Sequence, residues 1–206
     1  MVAQENAVIV NALVRQALVA AQEVMGENGL NAVLRASGLD RFLNNFPPDN
    51  LEPGIDAWQY ARFNEAVEEF YGRGGRGILK RIGRASFQYA IREQSTLMGI
   101  AGMALKALPK KQRVKFILNS MVDALKKSNP QVEAWAGDKD GKLIYVERTC
   151  AICNNRTSDK PICHLYIGSL SEAIKWATGD DYIVRETACI AMGDDFCQFE
   201  IDDPIN

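Results

Sequence analysis

The chain has 206 residues, 24 of them lysine or arginine against 26 aspartate or glutamate, for a formal charge of −2 at pH 7. That length suits one domain, or one domain with a sizeable appendage, and buries roughly 70% of the unfolded surface; with 47% hydrophobic and 24% charged residues the composition is that of an ordinary globular protein. The near balance of charge removes any bulk electrostatic drive toward nucleic acid or an anionic membrane, and no run approaches the ~20 apolar residues of a membrane-spanning helix.

The start, Met-Val-Ala-Gln-Glu-Asn, carries no basic region, and the apolar run behind it is interrupted by Asn11, Arg15 and Gln16, so no signal peptide and a cytoplasmic placement are expected. Val10, Leu13, Val14, Ala17, Leu18, Ala21 and Val24 then recur at the spacing of one helical stripe. Gly26 and Gly29 interrupt it, and a second short helix is expected from Leu30 to Ser37. Pro47, Pro48, Pro53 and Gly54 mark a loop. Phe63, Ala66, Val67 and Phe70 form another stripe ended by Gly72; Ile78, Ile82, Ala85 and Tyr89 form the next. Leu97 to Leu108 reads as a further apolar helix. Val114, Ile117, Leu118, Met121, Val122 and Leu125 then give the clearest 3.6-residue period, with lysines opposite and Asn129-Pro130 as its stop.

Beyond Pro130 the period changes to two. Gln131–Ala136 and Lys142–Arg148 flank the turn-rich segment Gly137 to Gly141, a hairpin signal. A cysteine-bearing loop leads to a helix near Ser169–Ala177, and two strands follow, near Asp181–Ala191 and Phe196–Asp202, joined through Gly193-Asp194-Asp195. The expected class is α+β. N-terminal helices precede a four-stranded antiparallel sheet of two hairpins with one intervening helix. The helical region 1–130 is read as part of the same domain as 131–206.

All five cysteines, Cys150, Cys153, Cys163, Cys189 and Cys197, lie in the last 57 residues. An odd number in a chain without a secretion signal argues against a disulfide framework, and their clustering favours a metal site, because thiolate ligands must converge. Cys150-Ala-Ile-Cys153 has the spacing by which two thiolates reach one ion from a tight turn. No second C-x2-C exists, but Cys189 and Cys197 lie symmetrically about Gly193, where a hairpin would set them nearly opposite each other. Two ligand sets are therefore open: four sulfurs drawn from the five, which the pattern favours, or a mixed Cys3Glu set that includes Glu186. In a regular strand Glu186 and Cys189 point to opposite faces, so the mixed set requires a bulge or a strand end between them.

The segment from Cys163 to Gly168, with Tyr182-Ile-Val-Arg-Glu186-Thr-Ala-Cys189 and Gly193-Asp-Asp-Phe-Cys197-Gln-Phe199, resembles the 4-vinyl reductase-type domain, also called the predicted hydrocarbon-binding domain. About 40 residues at the C-terminal end carry the likeness, and the Gly83-Arg84 region resembles the family's upstream glycine-containing helix. The resemblance implies a fold similar to TRAPP subunits and to the sensor modules of phenol-responsive activators. It also implies a homodimer and a zinc ion held by Cys163, Glu186, Cys189 and Cys197, which reverses the preference read from spacing alone. Four protein ligands leave no open position, so such a zinc would be structural. Cys150 and Cys153 fall outside that match, as a redox pair, as replacements for Glu186, or as loop thiols. His164, the chain's single histidine, reads as a partly exposed neighbour of Cys163.

Other motifs have plain explanations. Gly72-Arg-Gly-Gly-Arg-Gly77 follows a helix and lacks the P-loop ending, so it reads as a helix–helix joint. The basic cluster from Arg73 to Arg84 reads as a solvated face. One histidine beside its cysteine makes no catalytic triad, and Glu65 and Glu69 share a helix face as solvated carboxylates. Trp135 and Tyr145, on the two arms of the first hairpin, with Phe87 and Tyr89 from the helix before, are candidates to line an apolar ligand cavity. The resulting expectation is a zinc-stabilised binding protein for a small hydrophobic or aromatic molecule, acting as sensor or carrier rather than enzyme. The alternatives are an accessory protein or reductase of tetrapyrrole vinyl-group metabolism and an assembly scaffold without a ligand.

Overall fold

A computed structural model describes residues 7–93 and 105–204. Helix α1, Asn11–Ala36, carries the first stripe on its buried face, with Val14, Ala17, Leu18, Ala20 and Ala21 inside. The expected break at Gly26 is a kink rather than an end: Gly26 alone is non-helical, at φ 73°, and the helix resumes to bury Leu30, Val33 and Leu34. Two short strands not foreseen from the sequence, β1 (Val8–Val10) and β2 (Pro53–Asp56), pair antiparallel across the base of α1. Helix α2, Ala57–Tyr71, begins with the Gln59 side chain accepting the Asp56 backbone N–H at 3.2 Å, half of a capping box. Of its stripe, Phe63, Ala66 and Val67 are buried, whereas Phe70, in the last turn, is exposed and packs edge-on against Tyr71. Helices α3 (Gly75–Glu93) and α4 (Lys110–Ser128) bury the expected faces. The helix expected over Leu97 to Leu108 falls largely outside the described residues.

The second half is the four-stranded antiparallel sheet, in the order β3 (Ala134–Lys139), β4 (Lys142–Glu147), β6 (Cys197–Pro204), β5 (Tyr182–Ala188). The β3–β4 turn is tighter than its glycine-rich sequence suggests. Gly137 to Lys139 stay in the ladder, and Asp140 and Gly141, at φ 53° and 84°, make the two-residue turn alone. Helix α5, His164–Thr178, joins the hairpins and ends at Gly179 in the left-handed conformation. Its Tyr166 ring lies 5.9 Å from that of Tyr145 on β4 and 5.6 Å from that of Phe199 on β6. The core therefore sits between this inner sheet face and the helices. No helix among the described residues is long and apolar enough to cross a membrane.

The two halves meet where α3 crosses α5. A Cβ placed on Gly83 would lie 2.0 Å from the Leu165 carbonyl oxygen, and one on Gly168 2.0 Å from that of Lys80. The backbones are in direct contact, so any side chain at either position must push the helices apart. Gly83→Ala and Gly168→Ala are each expected to destabilise the protein by about 3 kcal/mol or more. Denaturant midpoints within a few tenths of a kcal/mol of wild type would contradict the close crossing.

Candidate metal and ligand site

Four elements deliver the cysteines to one place. The loop after β4 carries Cys150 and Cys153, the residue before α5 is Cys163, the end of β5 leads to Cys189, and β6 opens with Cys197. All five are buried and none is in a disulfide. The Sγ atoms of Cys150 and Cys163 are 3.5 Å apart, those of Cys153 and Cys197 3.4 Å, those of Cys163 and Cys197 3.8 Å, and those of Cys163 and Cys189 4.0 Å. Four thiolates around one ion at about 2.3 Å have edges of about 3.8 Å, so these separations suit metal coordination.

Two sets of four donor atoms, each mutually within 4.8 Å, emerge: Cys150, Cys153, Cys163 and Cys197; and Cys163, Glu186, Cys189 and Cys197. Either could hold a metal ion. The strand objection to the second set is met in the backbone. Glu186 pairs with Phe199 but Ala188 with Gln198, so the register slips by one residue between them, and β5 ends at Ala188. The Ala188–Gln198 pair also places Cys189 and Cys197 beside each other across the ladder. Glu186 Oε2 accepts the Cys163 backbone N–H at 2.8 Å, whereas Oε1 is buried without a hydrogen-bond partner and is free to ligate. Burial, and then the adjacent Cys189 sulfur, pushes this carboxyl up to about 9.

His164 is not the partly exposed residue expected. It is buried, neither ring nitrogen has a hydrogen-bond partner, and the nearest carboxylate oxygen, on Glu68, is 3.9 Å away. Burial, then Lys80, Arg76 and Arg156, lowers its pKa to about 4, which keeps the imidazole neutral.

Beside the cysteines lies a cavity of about 250 Å³. Its apolar wall comes from Ile9 and Leu13, from Phe87 on α3, from Met121 and Leu125 on α4, and from Leu165 on α5. Ala151 and Ile152, the two residues inside the C-x2-C turn, also line it, so one loop serves both the sulfur cluster and the cavity. The polar groups are few: Tyr60, Tyr145, Tyr166 and Glu147. Glu147 is 2% exposed and its Oε2 has no hydrogen-bond partner. Desolvation raises its pKa to about 7, opposed by the Tyr166 hydroxyl beside it and reinforced by the Cys153 sulfur.

Of the four aromatic residues singled out in the sequence, Phe87 and Tyr145 line the cavity and Trp135 and Tyr89 do not. Trp135 pairs with Val146, one register position from Tyr145, so its ring stands on the opposite sheet face. There it is 39% exposed, edge-on to Phe196 and under the Arg148 guanidinium. Tyr89 lies two residues past Phe87 on α3, on the far side from the lining residues Ser86, Phe87 and Ala90. Sequence reasoning missed Glu147 and Tyr166. The signal for Glu147 was present, since strict alternation from Leu143 through Tyr145 sends residue 147 inward.

The family comparison falls on this half of the chain. Residues 145–203 match the 4-vinyl reductase domain. The match takes in Cys150, Cys153 and the whole mixed donor set. An uncharacterized protein of Methanocaldococcus jannaschii, MJ0745, is 28% identical over 65 residues, which span 32% of this chain and 36% of that protein's length. Among solved structures, one from a study of heme distortion in the H-NOX family aligns with a TM-score of 0.62 at 13% identity, over 96% of this chain and 97% of that one. An oxygen-binding H-NOX domain related to soluble guanylate cyclases aligns at 0.56 and 14%, over 92% and 93%. An H-NOX protein from S. oneidensis aligns at 0.55 and 11%, over 93% and 99%. The likeness thus extends through the N-terminal helices, and these neighbours are H-NOX domains rather than the TRAPP subunits the sequence resemblance implied. A 4-vinyl reductase domain match and an H-NOX-like fold together describe a small-ligand sensor or binding domain.

Glu147 supplies a pH signature. Its folded pKa of about 7 lies above its unfolded value of 4.5, so the folded state prefers the neutral acid. That stability is fully present below pH 4.5 and is lost as the pH rises through 7. Glu147→Gln should therefore gain on wild type by about 2 kcal/mol between pH 5 and pH 8. Parallel stability curves over that range would show that Glu147 is not buried as described.

Proposed function

We propose that the protein is a zinc-stabilised binding protein for a small, mostly apolar ring compound bearing one hydrogen-bonding group, acting as a sensor or carrier in the cytoplasm. The observation that carries this reading is an apolar cavity with one unpartnered carboxyl oxygen on its wall. An apolar ring fills the hydrocarbon lining, and a hydroxyl or amino group supplies the partner Glu147 Oε2 lacks. Size supports a single or fused small ring, since an apolar cavity of ~150 Å³ already accepts benzene.

The zinc assignment rests on donor chemistry. Thiolates with one carboxylate at tetrahedral separations are the ligand class zinc takes in structural sites. Its part would be to tie the C-x2-C loop, the start of α5 and the last hairpin together beside the cavity. A homodimer belongs to the same reading, through the resemblance to the 4-vinyl reductase domain.

Several H-NOX neighbours are described with heme or Fe(II)NO, and the residues here do not fit that group. The single histidine, His164, is not among the cavity's lining residues, and about 250 Å³ is below the ~300–1,000 Å³ of ordinary drug-sized ligand pockets. A tetrapyrrole substrate meets the same size limit.

The test is thermal unfolding against a panel of matched rings. Phenol, cresols and naphthol should raise the melting temperature in a dose-dependent way. They should bind about tenfold more tightly than toluene or naphthalene, and Glu147→Leu should erase that preference while apolar rings still bind. No shift across the panel would leave the scaffold reading in its place.

A further inference from the structure

The two donor sets are not alternatives for one ion in any way their geometry requires. They share Cys163 and Cys197, whose sulfurs are 3.8 Å apart; Cys150 and Cys153 join only the first set, Glu186 and Cys189 only the second. A single tetrahedral ion takes four donors and leaves two behind. In the mixed set the remainder would be two fully buried thiols, 3.5 Å and 3.4 Å from the sulfurs of ligands. In the all-sulfur set it would be Cys189 and a buried carboxyl whose Oε1 has no partner. Two tetrahedra sharing one edge need six donors, and six are present.

We propose that the cluster is a dinuclear zinc site in which the thiolates of Cys163 and Cys197 bridge one ion held also by Cys150 and Cys153 and a second held also by Glu186 and Cys189. The sulfur separations fit both tetrahedra: 3.4–4.0 Å brackets the edge of about 3.8 Å expected for zinc thiolates. Charge favours the second ion as well. Five thiolates and a carboxylate are six anionic donors in a buried site, and one dication offsets a third of that charge where two offset two thirds. The first ion would also fix Ala151 and Ile152, the cavity wall inside the C-x2-C turn, so ligand affinity should follow its occupancy.

This inference rests on the single-zinc reading of Cys163, Glu186, Cys189 and Cys197 and adds an ion to it. Elemental analysis with native mass spectrometry of the intact chain separates the two. Two zinc ions per chain are expected in wild type, falling to one in Cys150→Ser/Cys153→Ser and to one in Glu186→Gln/Cys189→Ser. One zinc in wild type that survives Cys150→Ser/Cys153→Ser would overturn the dinuclear site and leave the mixed site standing. One zinc that this double variant loses would overturn both in favour of four sulfurs. No zinc, or iron with visible absorption, would also overturn both. Because either double variant can fail to fold, cadmium-exchanged wild type provides a second reading by metal NMR. Two resonances coupled through the bridging sulfurs are expected, and a single resonance would refute the second ion.

Discussion

The contact on which the rest depends is the crossing of α3 over α5, where Gly83 and Gly168 let two backbones touch without side chains between them. That approach fixes the distance between the helical half and the sheet. It seats the N-terminus of α5 against α3, which brings Cys163 down onto the ends of β5 and β6 and sets Leu165 and Tyr166 against the cavity. A methyl group at either glycine would move all of these together, because α5 is one rigid rod of 15 residues.

The cluster and the cavity are two faces of one loop. Cys150 and Cys153 turn inward to the sulfurs while Ala151 and Ile152, between them, face the cavity. Such a loop has little regular hydrogen bonding of its own, so its shape is set by what binds its thiols. This gives a physical route by which metal occupancy and ligand binding can influence each other: both bias the same short segment, with no need for motion elsewhere.

Much of the fold was legible because periodicity is local. The stripe of α4 and the alternating strands of both hairpins lie where the pattern puts them, with boundaries moved by a few residues. The departures are tertiary. Gly26 bends α1 instead of ending it, since the helix beyond still has a core to bury against. β1 and β2 are too short to show a period, and they exist because each pairs with the other across α1. The donors were legible as residue types and spacings; Glu186 could be doubted from alternation alone, and a one-residue slip in β5 removed the doubt. The aromatic residues show the opposite case, since composition proposed Trp135 and register turned it outward.

The sequence by itself determined the class, the clustering of thiols in the last quarter of the chain and the likeness of that region to the 4-vinyl reductase domain, because these reside in local period, spacing and residue type. Tertiary structure alone decided that five cysteines and one glutamate form two overlapping tetrahedral sets, and that a buried glutamate faces an apolar cavity beside them. It also decided that the whole chain, helices included, takes an H-NOX-like arrangement. The physical reason is that donor convergence and cavity shape depend on how far apart elements distant in sequence come to rest, and that distance was set at the glycine crossing.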